Sequence, residues 1–426
     1  IPFHAYSGYA EKLISKGYKV AIVEQVEDPS QAKGLVKRDV VKIITPGTIT
    51  EAGLNEKENN FLAAIYETDA RYTLAYADVS TGQMYLTTIE DEEALANEIL
   101  SLHAKEVICL SSLKLKILNT LHDNYQIVIS RCDDTSLIDD YKYLIEGLNL
   151  EKFKDDIPCI SILINYISKT QRHNLYHLQP IKFYSSNQVL HLDPFSKRNL
   201  ELTETLRQNQ KSGSLLWLLD KCQTAMGSRK LHTWIDRPLI DRNEIIKRHN
   251  YVEALINNYV AKEVIKESLK TVYDLERIIG RISVGNANAK DLVQLRRSLA
   301  NIPNFKKNVM ALGTDDAISF ANGIDTHEKL YDLLDKALVD DPPLQIKEGG
   351  MIKPLYNKDL DELKEISGSS KDWILKFEAQ ERERTGIKTM HVGYNRVFGY
   401  YIEVSKGNCV MVKAGTIHAI GAGILI

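Results

Sequence analysis

Apolar and polar positions change their period several times along the chain, and each change predicts a different kind of element. Ser7 suits a helix N-cap, with helical spacing running to Lys16 and Gly17 placed to end it. Tyr18 to Val26 is β-branched and apolar and predicts a strand; Asp28-Pro29-Ser30 predicts a turn, and Val36 to Thr45 a second strand closed by Pro46-Gly47. Thr48 to Asn60 is polar and predicts a linker. Three strand-like runs follow, Phe61–Glu67, Tyr72–Val79 and Gln83–Ile89, with Ser80-Thr81-Gly82 as a tight turn between the last two. A helix over Asp91–His103, a strand over Glu106–Leu110 and further alternation to about Arg131 complete the pattern of a mixed-sheet α/β domain. Pro158 sits where its missing N–H does no harm, at the start of a helix whose apolar face is Ile160, Leu163, Ile164 and Ile167.

From about Val189 the period becomes helical. The segments are Leu200–Leu206, Leu215–Lys221, Asn243–Asn258, Ala261–Val272, Asp274–Ser283 and Asn288–Ile302, interrupted at Asp236-Arg237-Pro238 and Asp341-Pro342-Pro343. Leu355 to Arg384 predicts one long helix with an apolar stripe of Leu360, Leu363, Ile366, Trp373 and Phe377. Glu378 and Arg382 form an i, i+4 pair in the favoured order, and Gly368 weakens the middle. At 1.5 Å per residue such a helix reaches ~45 Å, longer than a small domain needs, and suits a strut. His391 to Val404 is strand-like and aromatic, with Trp217, Trp234 and Trp373 elsewhere expected in the core.

Length and composition narrow the class. The 426 residues suggest about three domains. Their 44% hydrophobic content excludes a chain disordered throughout, and no apolar run approaches the ~20 residues of a membrane span. Five scattered cysteines with no C-x-x-C pair argue against a disulfide scaffold and fit a cytoplasmic protein. The chain opens at Ile1-Pro2 without Met, and is expected to be a piece of a longer protein. The net charge of -3 carries no nucleic-acid signal, but its distribution does: Ser196–Arg248 holds eleven basic against six acidic residues, and Arg382 to the end six against two.

Several chemistries find no support. No Gly-Lys dipeptide occurs, so no Walker A loop is present, and H-E-x-x-H and G-x-S-x-G are missing too. Asp69 and Asp78 lie near the ends of adjacent strands. A two-metal nuclease needs several carboxylates around ions ~4 Å apart, and solvated turn residues are the better reading of this pair. His173 and His177 are four apart but flank a helix end with no third ligand, so the expectation is no catalytic residue, no metal and no cofactor within this chain.

Local sequences carry more than their spacing. Pro2-Phe-His-Ala5, Gly17-Tyr-Lys-Val-Ala-Ile-Val-Glu-Gln-Val-Glu-Asp-Pro29, Val40-Val-Lys-Ile-Ile-Thr-Pro-Gly-Thr48, Arg198-Asn-Leu-Glu-Leu-Thr-Glu204 and Ser214-Leu-Leu-Trp-Leu-Leu-Asp220 stand in that order. They are followed by Thr224-Ala-Met-Gly-Ser-Arg229, Trp234-Ile-Asp-Arg-Pro-Leu239, Asp274-Leu-Glu-Arg-Ile278 and Gly393-Tyr-Asn-Arg-Val-Phe-Gly-Tyr-Tyr-Ile-Glu-Val404. This ordered set resembles the bacterial DNA mismatch-repair family MutS, most closely the form of low-GC Gram-positive bacteria.

The resemblance implies a multidomain α/β plus mainly α protein. Residues 1–47 would be the C-terminal part of the mismatch-recognition domain, and 59–184 a ribonuclease-H-like connector without an active site. Residues 189–385 would be a helical core with long lever helices, 386–407 the start of a β clamp for DNA, and 408–426 a non-matching tail. It implies that the family's Phe-x-Glu wedge precedes Ile1, and that the ATPase domain, with its ATP, Mg2+ and main dimer contacts, lies beyond this chain. The implied partners are mispaired duplex DNA and a repair factor of the MutL type; the parent would be a homodimer, this chain a monomer. Lys37, Arg38, Asn395, Arg396 and Lys406 are the expected phosphate contacts, while Tyr394, Phe398, Tyr400 and Tyr401 are expected to pack the clamp itself. The competing readings are a MutS-like paralogue serving recombination or as a protein scaffold, and a connector-type nuclease.

Overall fold

The runs after Asn60 form the sheet that organises the first part of the molecule in the computed structural model. The structure describes residues 6–27, 36–50, 53–68, 71–149, 151–185, 189–190, 192–208, 210–395 and 399–404, without side chains at 366–373, 395, 399 and 400. The chain divides into two compact units, Ile1–Met351 and Ile352–Ile426. The Asp28 to Ser30 turn, Asp69, Arg396, Phe398, Lys406 and the tail after Gly407 lie outside the described residues, as do the side chains of Ile366, Trp373, Asn395 and Tyr400.

In the first unit, helix α1 (Tyr6–Ile14) packs Ala10 and Ile14 on a two-stranded antiparallel ribbon, β1 (Val20–Gln25) and β2 (Arg38–Ile44). Helix α1 starts one residue before the expected Ser7 cap, and Gly17 closes the turn after it at φ 81°. A six-stranded sheet follows, built from β3 (Leu62–Glu67), β4 (Tyr72–Asp78), β5 (Gln83–Ile89), β6 (Glu106–Cys109), β7 (Val128–Arg131) and β8 (Lys182–Phe183), in the order β7-β6-β3-β4-β5-β8. β3, β4 and β5 form an antiparallel meander; β6 and β7 add parallel on one side and β8 parallel on the other.

Both faces of this sheet are covered, and for that reason its central strands read as nearly continuous apolar runs. Helices α2 (Glu92–Ser101) and α3 (Lys116–Tyr125) cover Ala63, Ile65, Leu74 and Val107, while α4 (Ile157–Gln171) covers Leu62, Ala64, Ala75 and Leu86. The expected face of α4 is fully buried, but so are Ser161, Ile162 and Asn165. Asn165 spends its amide on the carbonyls of Asp134 and Ser136, at 3.0 and 2.8 Å. A helix buried almost all round needs such polar partners.

The rest of the unit is helical in its described residues: α5 (Pro194–Asn199), α6 (Leu215–Leu219), α7 (Ala225–Asp236), α8 (Arg242–Asn257), α9 (Tyr259–Leu269), α10 (Leu275–Ser283), α11 (Ala289–Met310), α12 (Asp315–Asn322) and α13 (Glu328–Ala337). Four expectations need correction. Leu200–Leu206 is not a helix: Asp193 caps α5 earlier, Glu201 turns to φ 49°, and the backbone at 201–202 bonds residues 215 and 216 instead. Helices α7, α12 and α13 were not expected, and α11 runs through Pro303, where the pattern was expected to stop. Trp217 and Trp234 are 49% and 38% exposed and belong to no core. The supposed linker is tied down: Thr48 and Asn60 are buried, and the carbonyls of Asn55, Glu56 and Glu58 are held by arginines described below.

The second unit holds α14 (Lys358–Thr385), capped at its start by the Asn357 side chain and ended by Gly386 at φ 70°, followed by an antiparallel hairpin of β9 (His391–Asn395) and β10 (Gly399–Glu403). Its 28 residues correspond to ~42 Å. The expected stripe is not a buried seam here, since Leu363 is 63% exposed. Among the described residues no helix is long and apolar enough to cross a membrane.

Candidate nucleic-acid interface

Of the expected phosphate contacts, the three that are described, Lys37, Arg38 and Asn395, fall at the ends of two hairpin-like ribbons, one in each unit. Arg38 begins β2 opposite Gln25, at the end of the ribbon where the chain passes from β1 to β2, and Lys37 precedes it with its amide bonded to the Glu27 carboxylate at 3.0 Å. Both side chains are exposed, and neither has an ion-pair partner among the described residues. Asp39 next to them is held by Arg172 at 3.6 Å, so the local acid is already neutralised. In the second unit Asn395 ends β9 opposite Gly399, at the hairpin tip. Tyr394 is 64% exposed. Tyr401, half out of solvent, lies across Gly393, where an added Cβ would meet its ring.

Glu378 fixes the base of that hairpin. One oxygen pairs Arg382 at 2.6 Å, and the other accepts from the Val392 N–H at 2.9 Å and faces His391 Nδ1 at 3.0 Å. The Val392 bond, then the Arg382 guanidinium and the His391 contact, hold its carboxyl below the usual range. Arg382 in turn donates Nε to the Met390 carbonyl at 2.6 Å. The i, i+4 pair visible in the sequence is therefore also the joint between helix and hairpin.

Inside the first unit, the joints are made by buried charge that the sequence did not single out. Arg229, 3% exposed at its side chain, donates to both oxygens of Asp274 at 2.6 and 2.8 Å, to Glu276 at 2.6 Å and to the Glu56 carbonyl at 2.7 Å. Burial opposes its charge, but the two carboxylates prevail and raise its pKa. Arg277 donates to the carbonyls of Asn55 and Glu58 at 3.0 and 2.7 Å. Burial and the neighbouring Arg229 lower its pKa. Glu276 also accepts from Gln83 on β5 at 2.9 Å, and an added Cβ on Gly280 of the same helix would clash with the Ser80 carbonyl. Helix α10 thus locks onto the β4–β5 turn. Arg237, just past α7, pairs Glu98 of α2 at 2.5 Å and lies over the Tyr184 ring at 4.9 Å. Both Arg229 and Arg277 sit in sequence blocks that carried the family resemblance; their role as ties was not legible there.

Two acids have structural occupations. Asp78, fully buried, accepts from Asn59 Nδ2 at 2.9 Å, the Asn60 N–H at 3.2 Å, and Ser80 N–H and Oγ at 3.0 and 2.6 Å. Glu106, also fully buried, accepts from Thr45 and Ser130 hydroxyls, from Tyr166 at 2.6 Å and from the Gly47 N–H at 3.0 Å, with Lys19 at 3.6 Å. It joins the β1–β2 ribbon to the sheet. Among the described residues no group of three acids, histidines or cysteines is placed to hold a metal. His177 is a core histidine, its Nε2 2.8 Å from the Val79 carbonyl and its pKa lowered by burial.

Comparison with known proteins accounts for this arrangement. Family profiles described as MutS domain I, MutS domain II and MutS domain III match residues 1–53, 60–179 and 196–396. The chain is 47% identical over 417 residues to the DNA mismatch repair protein MutS of Geobacillus kaustophilus, covering 97% of this chain and 46% of that protein. It is 46% identical over 416 residues to the MutS of Bacillus subtilis, covering 97% and 48%. The chain therefore spans about half the length of the curated relatives it matches. With three consecutive domain profiles of one family in order along most of its length, the chain belongs to the MutS family and carries its domains I, II and III.

Proposed function

We propose that the parent of this chain is a cytoplasmic bacterial mismatch-repair protein that binds mispaired duplex DNA, and that this chain supplies its spacer and strut. The observation that carries this is the similarity to proteins named DNA mismatch repair protein MutS, which covers 97% of the chain. In this reading residues 1–47 belong to the recognition domain, 59–184 to a ribonuclease-H-like connector, 189–385 to the core and levers, and 386–407 to the clamp; the tail 408–426 is given no role. Discrimination follows from deformability, since a mispair lowers the cost of unstacking and kinking the duplex. The phosphate contacts position without reading sequence. Lys37 and Arg38, exposed and in no ion pair among the described residues, suit that role, and Asn395, Arg396 and Lys406 are assigned to the same task at the clamp.

The residues of this chain do not fit a nucleotide site: no Gly-Lys dipeptide occurs, so nothing here cradles a triphosphate in a Walker A loop. ATP and Mg2+ are assigned to the remainder of the parent, as are homodimerisation and recruitment of a MutL-type factor, and no catalytic step is assigned to this chain. The long α14, tied to its hairpin through Glu378, supports a mechanical role.

The test is a binding titration of this chain on heteroduplex and homoduplex DNA at two salt concentrations. Binding should be weak, should fall steeply with salt, and should show no mispair preference. A double Lys37→Gln, Arg38→Gln variant should lower affinity equally on both duplexes. A clear mispair preference in this chain would show the reading element to be misplaced, and salt-independent binding would remove the phosphate assignment.

A further inference from the structure

The richest unexplained charge in the first unit lies where β8, α7 and α8 come together. Lys230 and Trp234 are four residues apart on α7 and so share a face. The Arg248 guanidinium of α8 lies 3.8 Å from the centre of the Trp234 ring. Tyr184, two residues beyond Lys182 and on the same side of that extended segment, lies under Arg237 at the end of α7. That contact brings the β8 edge, and with it Lys182, toward Lys230. Among the described residues none of these three cations is joined to an acid by an ion pair. Two acids stand nearby. Glu244 is one turn before Arg248 on α8, and Glu276 is already committed to Arg229 and Gln83. Partial burial, then the charges of Arg248 and Lys182, lower the pKa of Lys230, against an opposing pull from Glu276.

An arginine stacked on an indole is fixed in orientation with its N–H edge free, the preorganised form of a bidentate oxyanion donor. Two lysines beside it add point charges with rotatable donors. We propose that Lys182, Lys230 and Arg248 form a phosphate-binding site, holding one phosphate group beside the Trp234 ring. A phosphate accepts from the guanidinium fork and both ammonium groups at once, whereas a single carboxylate offers two oxygens to the same set. The site is separate from Lys37 and Arg38 and from the clamp residues, and the proposal stands whether or not the parent reads mispairs. The phosphate is carried either by a nucleic-acid strand or as a free or esterified monophosphate; the chemistry at the site is shared.

The experiment titrates this chain with inorganic phosphate and, separately, with a short single-stranded oligonucleotide, following tryptophan fluorescence and thermal midpoint. Poly-glutamate is the carboxylate control. Saturable binding with a change in emission and a raised midpoint is expected. Lys230→Gln and Arg248→Gln should each weaken phosphate binding about tenfold, the loss expected for one charge-assisted hydrogen bond. Lys262→Gln, whose lysine lies over Tyr259 but stands beside Glu263, should leave it unchanged. The Lys37→Gln, Arg38→Gln variant should leave inorganic phosphate binding intact, which separates this site from the proposed DNA contacts. If Arg248→Gln fails to fold, Lys182→Gln, at an exposed sheet edge, decides in its place. Binding of both phosphate probes places the group on a strand, and inorganic phosphate alone places it on a monophosphate. No saturable response to either probe, equal weakening by Lys262→Gln, or equal binding of poly-glutamate would overturn the proposal.

Discussion

At the scale of single residues, the acids of this chain are occupied as structural acceptors. Asp220 shows how that shapes the response to pH. Burial alone would raise its pKa, but Lys211 at 2.8 Å, the Ser228 hydroxyl at 2.8 Å and Lys57 at 3.9 Å prevail and hold it at about 2, against 3.8 for a free aspartate. A pKa depressed by folding gives stability that is complete above the unfolded value and is lost as pH falls through the folded one. Asp220 therefore contributes fully above about pH 4 and progressively less between about pH 4 and 2. Asp220→Asn should destabilise the chain by about 1 kcal/mol at neutral pH, a modest figure because the lysine ends reach solvent. Urea midpoints at pH 7 and near pH 2 check this: the gap between variant and parent should close at the lower pH. An equal gap at both would mean that the charge of Asp220 is not what stabilises.

Among the elements, the difference between what the sequence predicts and what forms has identifiable causes. Strands β3 to β6 were legible because their apolar runs end at turn residues and both faces are covered, whereas the two-residue β8 was not read. Helices α7, α12 and α13 were overlooked, although the sequence carries their amphipathic spacing and the Thr224 and Thr314 caps of the first two. Leu200–Leu206 carried a helical period, but the Asp193-Pro194 start and the left-handed Glu201 placed the helix earlier. The family blocks located Arg229 and Arg277 without revealing that they hold the backbone of the supposed linker; such bonds join residues some 170 to 220 positions apart, and no local pattern encodes them. The Glu378–Arg382 pair was legible as a helix pair, while its second task, accepting from Val392, was not. Glu378→Ala should free the Val392 N–H, release His391 from the helix and leave Arg382 without its carboxylate partner. Amide exchange at Val392 should become faster, while Glu381→Ala, which removes the Arg384 pair at 2.7 Å and leaves the Glu378 bond to Val392 in place, should leave it unchanged. Unchanged exchange in Glu378→Ala would place the anchor of the hairpin elsewhere.

At the scale of the whole first unit, the question is whether sheet and helices unfold together. Three ties hold the unit together, the last two between sheet and helices. Glu106 binds the β1–β2 ribbon to the sheet, Arg229 and Arg277 bind the helical part to residues 55–58, and Arg237 binds the end of α7 to Glu98 and Tyr184. Each is a charge removed from most of its water and matched by its partner, so losing one side leaves the other uncompensated. Such ties act as cooperative links: the sheet cannot open without exposing unpaired arginines on the helices. Thermal unfolding followed by tyrosine absorbance, which weights the sheet through Tyr76, Tyr85 and Tyr184, should coincide with far-ultraviolet circular dichroism, which weights the helices. Arg237→Ala leaves Glu98 half-buried without its cation and should cost about 3 kcal/mol. It should also separate the two transitions, the tyrosine signal changing first, because Tyr184 and Tyr76 lose the guanidinium that lies over both rings. Arg237→Lys keeps the charge but not the planar stack, and should restore only part of the coincidence. Two transitions already separate in the unmodified chain would mean that the sheet and the helices fold as independent bodies, and that a strut built on their union would transmit no force.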